Sequence, residues 1–202
     1  MEGVNPIILG LDSYFRRLVP SSAVPIEVTQ RYFKPVTIRR NDYVLRQGSP
    51  VRPILYVHNG YFRLFREEPD GSAFTRAIST RGKFLVDVFQ FMGDGLAQQN
   101  IQAITDCEIA MIHREDIHKL YEEHPGFKDI EIKLLEDVVI QLAKRNESLL
   151  TLNADYRYKK LMRDHPDLIR SVPVKDIASL LGITPQSLSR LRSSELKGIR
   201  NG

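Results

Sequence analysis

The chain has 202 residues, 42% hydrophobic and 27% charged, with a net charge of +4. Those proportions suit a soluble globular protein of one large domain, or a medium one plus a small one. No apolar run approaches the ~20 residues that span a bilayer, and a single cysteine, Cys107, excludes an intrachain disulfide and argues against a cysteine-rich metal site.

The opening residues lack the basic-then-apolar order of a secretory signal, so a cytoplasmic location is expected. Two helix-like stretches come first, "LDSYFRRLV" and "PIEVTQRYF". Residues 36–112 then form short strand-like runs with turn punctuation: "VTIRR", "DYVLRQG", "PILYVHNGYFRLFRE", "AFTRAIS", "KFLVDVF" and "IQAITDCEIAMI". Asn59-Gly60 is the strongest hairpin signal among them, and Glu68-Pro69-Asp70-Gly71 marks a second turn. Many short strands at this spacing predict a barrel or a double-sheet jelly roll. Cys107 alternates with Ile109 and Met111, as a small buried apolar side chain would.

From Arg114 the period changes to that of helices. A short helix ends near His124-Pro125-Gly126, and residues 128–164 then run on with neither Gly nor Pro. Leu135, Val138, Leu142, Leu149 and Leu152 keep heptad spacing, with Arg145 in the remaining seam position. A seam that long predicts pairing with a second copy of the chain.

The last segment is basic: residues 155–202 hold ten Lys/Arg against five Asp/Glu. Within it, "VKDIASLLG" places Val174, Ile177, Ala178 and Leu181 on one helical face, and Gly182 follows as a left-handed stop. Thr184-Pro185 opens the next helix, with a capping hydroxyl and a residue tolerated at the first helical position. Leu188 and Leu191 point inward, while Gln186, Ser189 and Arg190 share the opposite face. Helix, short Gly-containing turn and polar-faced helix make a helix-turn-helix, whose second helix enters the major groove. Arginine pairs with guanine O6 and N7, and glutamine with adenine N6 and N7. Thr184 and Ser187 are placed for phosphate oxygens. Lys175, Arg192 and Lys197 add nonspecific attraction.

These features together resemble the Crp/Fnr family of bacterial transcription regulators over about residues 10–195. "LGITPQSLSRLR" carries the resemblance most specifically: Ser189 and Arg190 match the family's Glu-x-x-Ser-Arg pattern, with Gln186 at its Glu. The resemblance implies an α+β chain in three parts: a double-stranded β-helix (jelly roll) sensor domain over 1–126, a dimerisation helix over 127–154, and a helix-turn-helix domain over 155–202. It implies a homodimer on double-stranded DNA with a palindromic operator, with RNA polymerase as a further partner, and neither an enzyme nor a membrane protein.

The family's cyclic-nucleotide cassette resembles Gly-x-Phe-x-Gly-Glu-Leu followed some ten residues later by Arg-Ser or Arg-Thr. Here Gly82 and Phe84 match, Val86 stands at the second Gly, Asp87 at the Glu, Ala97 at the phosphate-binding Arg and Gln98 at the Ser or Thr. A cyclic phosphate without a paired cation is costly to bury, so control by cyclic AMP is not expected. Asp87, Gln98 and Gln99 remain the candidates for contact with an unidentified small-molecule effector, and no cofactor is expected. Two other readings are a ligand-binding module with a vestigial DNA-binding domain and a cupin-type enzyme. The second needs a metal-ligand cluster, and only His58 lies within the strands.

Overall fold

The computed structural model describes residues 3–20, 24–93 and 95–200, with Phe89 and residues 195–200 in backbone only. Two helices, α1 (Pro6–Leu18) and α2 (Ile26–Tyr32), precede the strands β1 (Lys34–Ile38), β2 (Tyr43–Leu45), β3 (Pro53–Asn59), β4 (Phe62–Glu67), β5 (Ala73–Ser79) and β6 (Lys83–Leu85). A short α3 (Val88–Met92) leads to β7 (Asn100–Ala103) and β8 (Cys107–His113). The remainder is helical: α4 (Arg114–Glu123), α5 (Phe127–Thr151), α6 (Ala154–Asp164), α7 (Pro166–Ser171), α8 (Val174–Leu180) and α9 (Pro185–Arg200).

The strands form two antiparallel four-stranded sheets, in the orders β1-β8-β3-β6 and β2-β7-β4-β5. Period-two alternation decides what each face covers. On β3, Leu55 and Val57 enter the space between the sheets, while Ile54 and Tyr56 point outward; β8 does the same with Ile109 against Ala110 and Ile112. The inner layer packs Leu45, Phe62, Leu64, Ile101 and Cys107. The outer face of the first sheet is covered by α1, α2, α4 and the start of α5 through Leu11, Phe15, Phe33, Leu120, Phe127 and Ile130. The second sheet has a cover too, and that cover is the C-terminal helical unit: Tyr61, Ile78 and Ile104 pack with Tyr158, Leu168, Ile177, Leu181 and Leu188. The α+β jelly-roll architecture predicted from the sequence is borne out.

Three local expectations need correction. Asn59-Gly60 makes no hairpin, because β3 and β4 belong to different sheets. Only Gly60 takes positive φ, at 94°, and the pair is a corner that carries the chain from one sheet to the other. The true hairpin lies at 68–72, where Gly71 N–H donates to Glu68 O at 2.9 Å and Glu68 N–H donates to Ser72 O at 2.9 Å. "KFLVDVF" is strand only as far as Leu85 and then turns into α3.

The long helical run is likewise not continuous. α5 ends at Thr151, Leu152 adopts extended geometry, and Asn153 starts α6 by accepting the Tyr156 N–H at 2.9 Å. An Asn cap with Asp155 in the first turn is a helix start that needs neither Gly nor Pro. Arg157 then fixes the break. Its guanidinium donates to the Leu152 carbonyl and to the Leu181 carbonyl at 2.8 Å, joining the end of α5 to the end of α8.

Candidate functional site

The helix-turn-helix comprises α8, the turn at Leu181–Thr184, and α9. Gly182 has φ 67°, a conformation that costs a side-chain-bearing residue and lets the chain reverse at once. Ile183 is half-buried against the local core, and its N–H donates to Ala178 O at 3.0 Å. α9 then starts on a Thr184 cap: Thr184 Oγ1 accepts the Ser187 N–H at 3.1 Å and sits 3.0 Å from Ser187 Oγ. Of those two hydroxyl protons one serves the pair, and the other is left to donate outward. Thr184→Ala is therefore expected to lose about 1 kcal/mol of stability, measurable as a lower urea midpoint with an unchanged slope.

Inward, Leu188 is fully buried and Leu191 partly so. Outward, Gln186, Ser189 and Arg190 are exposed on one face of α9, with Thr184 exposed and Ser187 half-buried at its start. Ser189 Oγ donates to Pro185 O at 3.0 Å and Ser193 Oγ to Ser189 O at 3.0 Å, so these hydroxyls back-bond to the helix. Arg190 carries the full charge of the exposed face. Lys175 is exposed as well, but Arg192 is half-buried, with Nε and Nη2 shielded and without a partner among the described residues. Only part of its guanidinium is thus displayed. The side chain of Lys197 lies outside the described residues.

The first helix of the unit is anchored to the second sheet by polar groups that periodicity did not reveal. Asp176 lies on the inner side of α8, 3% exposed. Its Oδ1 accepts from Arg63 Nη1 at 3.0 Å and from Thr75 Oγ1 at 2.8 Å. Arg63 also donates through Nη2 and Nε to Gln102 Oε1, at 2.6 and 2.9 Å, and lies 3.9 Å over the Phe65 ring. One turn on, Ser179 Oγ accepts the Thr75 N–H at 2.8 Å and donates to Thr75 O at 3.2 Å. β5 is the edge of its sheet, so α8 satisfies backbone groups that an open edge would expose.

The loop that follows α3 has turned inward. Ala97 is buried in the inter-sheet core; its N–H donates to Ser49 O at 2.8 Å, and its carbonyl accepts the Gly48 N–H at 2.7 Å. Asp87 is 1% exposed. Its Oδ2 accepts the Gln98 N–H at 2.9 Å, its Oδ1 accepts Gln99 Nε2 at 3.2 Å, and its carbonyl accepts the Phe91 N–H at 2.8 Å to begin α3. The Gln98 side chain is exposed and that of Gln99 is buried, its Oε1 without a partner among the described residues. Asp87, Gln98 and Gln99 thus come together, around the carboxylate of Asp87. Among the described residues no His, Cys, Asp and Glu cluster has metal-binding geometry. No helix among them is long and apolar enough to cross a membrane.

Residues 35–124 match the cyclic nucleotide-binding domain family. The CRP-like protein Clp of Xanthomonas oryzae pv. oryzae is 25% identical over 133 residues, which cover 64% of this chain and 57% of Clp. The match therefore spans little more than half the length of that relative. Among solved structures, the CLP regulator of Xanthomonas campestris superposes with a TM-score of 0.67 at 18% identity, covering 86% of this chain and 91% of its own. FixK2 of Bradyrhizobium japonicum gives 0.68 at 16% identity, covering 83% and 86%. With two stacked four-stranded sheets, a long following helix and a terminal helix-turn-helix, the chain shares the fold of these solved regulators, and its residues 35–124 match the cyclic nucleotide-binding domain family.

Proposed function

We propose that the protein is a homodimeric, sequence-specific DNA-binding transcription regulator that does not respond to cyclic AMP. The observation that carries this reading is the capped, exposed Gln186/Ser189/Arg190 face of α9, which follows a left-handed turn at Gly182. A helix presented in this way fits the major groove with its first turns toward the bases. The hydroxyl proton left over by the Thr184–Ser187 pair suits a phosphate oxygen.

Dimerisation is supported by α5. Its 25 residues extend roughly 37 Å, and they leave Ile132, Val139, Ile140, Leu142, Leu149 and Leu150 exposed. A helix with that much uncovered apolar surface calls for a partner; Leu142 and Leu149 lie on the predicted seam and Ile132 and Val139 flank it, so a second copy paired there covers that side of α5.

Selection of bound duplexes from a random pool tests the reading. The expected product is a palindrome whose half-sites lie about one helical turn, roughly 34–36 Å, apart. Failure to enrich any palindrome overturns it. Arg190→Ala is expected to cost about 1–3 kcal/mol at one base position and to relax selection there alone. A uniform loss over all positions would instead assign Arg190 to the phosphates.

A further inference from the structure

Where α5 ends, α6 runs and α8 stops, three helices enclose a cavity of about 270 Å³. Its described lining comes from these helices and their junctions, with no strand residue in it. Leu149, Leu161 and Leu180 give it an apolar floor, and Arg145, Arg157 and Lys160 stand around that floor.

Arg145 occupies a seam position of α5, half-buried, with no hydrogen-bond or ion-pair partner among the described residues. Burial is the first cause that holds its pKa below the usual arginine value. The charges of Arg76, which a bulge in β5 turns toward α5, and of Arg157 follow. No carboxylate of the described residues stands among those influences. A cation drawn out of water is costly unless an opposite charge meets it. A second copy of the chain does not supply one. In a parallel pair along the seam, the positions beside Arg145 hold Val139, Gln141, Asn146 and Ser148, all neutral.

Arg157 adds charge and has donors to spare. A guanidinium carries five N–H groups; three are used here, one on the Leu152 carbonyl and two on that of Leu181, so two remain. Both acceptors are neutral and leave its charge in place. Asp164 is the carboxylate among the lining residues, and its Oδ1 accepts from Arg163 Nε at 2.9 Å. Against Arg145, Arg157, Lys160 and Arg163 that single negative charge is outweighed.

We propose that this helix joint binds the phosphate group of a small molecule. The phosphate oxygens meet Arg145 and the spare N–H groups of Arg157, Lys160 adds charge from the rim, and the leucines receive a small apolar body. An occupant ties α5, α6 and the end of α8 together, yet the site does not depend on the regulatory reading above. A backbone phosphate of duplex DNA is the other source of the same chemistry. Arg145 is half-buried in a cavity of this size, which admits a free phosphate more readily than a duplex.

Phenyl phosphate is the probe, titrated calorimetrically into the full chain at fixed ionic strength, with phenol as its uncharged counterpart. Saturable binding of phenyl phosphate is expected, with phenol weaker by about tenfold or more. Arg145→Gln is expected to weaken phenyl phosphate about tenfold or more, and Lys160→Gln about threefold. Arg145→Lys keeps the charge and is expected to lose less than about threefold, which separates a lost anion contact from a disturbed fold. Arg39→Gln removes an exposed charge from the β-roll and is expected to change nothing. No saturable binding by the parent chain, unchanged affinity in Arg145→Gln, or an equal loss in Arg39→Gln overturns the proposal. Retention of a nonspecific duplex is expected to be the same in Arg145→Gln and the parent. A fall in duplex retention with phenyl phosphate affinity intact assigns Arg145 to DNA and overturns it as well. Arg145-dependent phenyl phosphate binding by a chain that selects no palindrome supports the site and sinks only the regulatory reading.

Discussion

Arg63→Leu is expected to lower unfolding stability by roughly 3–5 kcal/mol, because it strands a buried carboxylate. Arg63 and Asp176 have side chains only 14% and 5% exposed, at 3.0 Å separation. With the guanidinium gone, Asp176 keeps the Thr75 hydroxyl and loses its charge partner. The cost is therefore mostly that of the carboxylate left behind, and it is asymmetric. Arg63→Leu/Asp176→Leu removes both charges and should recover most of the loss, whereas two independent surface residues would simply add. A urea double-mutant cycle measures the coupling; a double variant as unstable as the sum of the singles refutes it. Hydrogen exchange of α8 supplies the local readout. Its amides should exchange faster in Arg63→Leu than those of β3 and β8, since the contact holds α8 to the edge of the second sheet.

Leu188→Ala is the second large effect, about 2–5 kcal/mol. Leu188 is fully buried among Tyr158, Leu168, Ile177, Ala178 and Leu181. That cluster is small, and it relies on Tyr61, Ile78 and Ile104 of the β-roll to complete it. A cavity here has few neighbours able to collapse into it. Because Leu188 is the inward anchor of α9, the helix that carries Arg190 loses its seat while the jelly-roll core is untouched. Duplex retention should fall steeply, and β-sheet circular dichroism should persist to higher temperature than the helical signal. A variant that retains duplex like the parent and loses under about 1 kcal/mol would show that α9 is held by something other than this core.

The contrast between these two residues shows where the sequence is legible. Leu188 follows helical periodicity with Ile177, Ala178 and Leu181, and their burial was expected, whereas Val174 of the same predicted face is exposed. Asp176 occupies the same inner face but is acidic, so periodicity assigns it to solvent. Only the meeting of α8 with β4 and β5 gives it partners, and that meeting depends on residues more than a hundred positions away. The jelly roll was readable because strand alternation is local. The sheet change at Asn59-Gly60 was not, since a tight turn and a corner share one dipeptide and differ only in which strands pair. The break at Leu152–Asn153 carried a faint local mark, an Asn cap with an acidic first turn, which the absence of Gly and Pro masked. For the β-roll, sequence comparison located Asp87, Gln98 and Gln99 but not how they bond to one another. Arg145 was visible as the odd residue of the heptad seam, but the bulge that turns Arg76 toward the same helix was not.

The hydrogen bonds around Asp87 have a consequence for how any anion would meet the loop. Its carboxylate is a built-in competitor, tethered by about ten residues to the amide and side chain it occupies. A short tether of this kind corresponds to an effective concentration of order millimolar, so a free phosphate must outbid a rival that never diffuses away. The loop is accordingly closed on itself before any visitor arrives. Binding elsewhere has no ordering of this segment to exploit, and information that reaches α9 must travel by a part of the molecule that is not already answered from within.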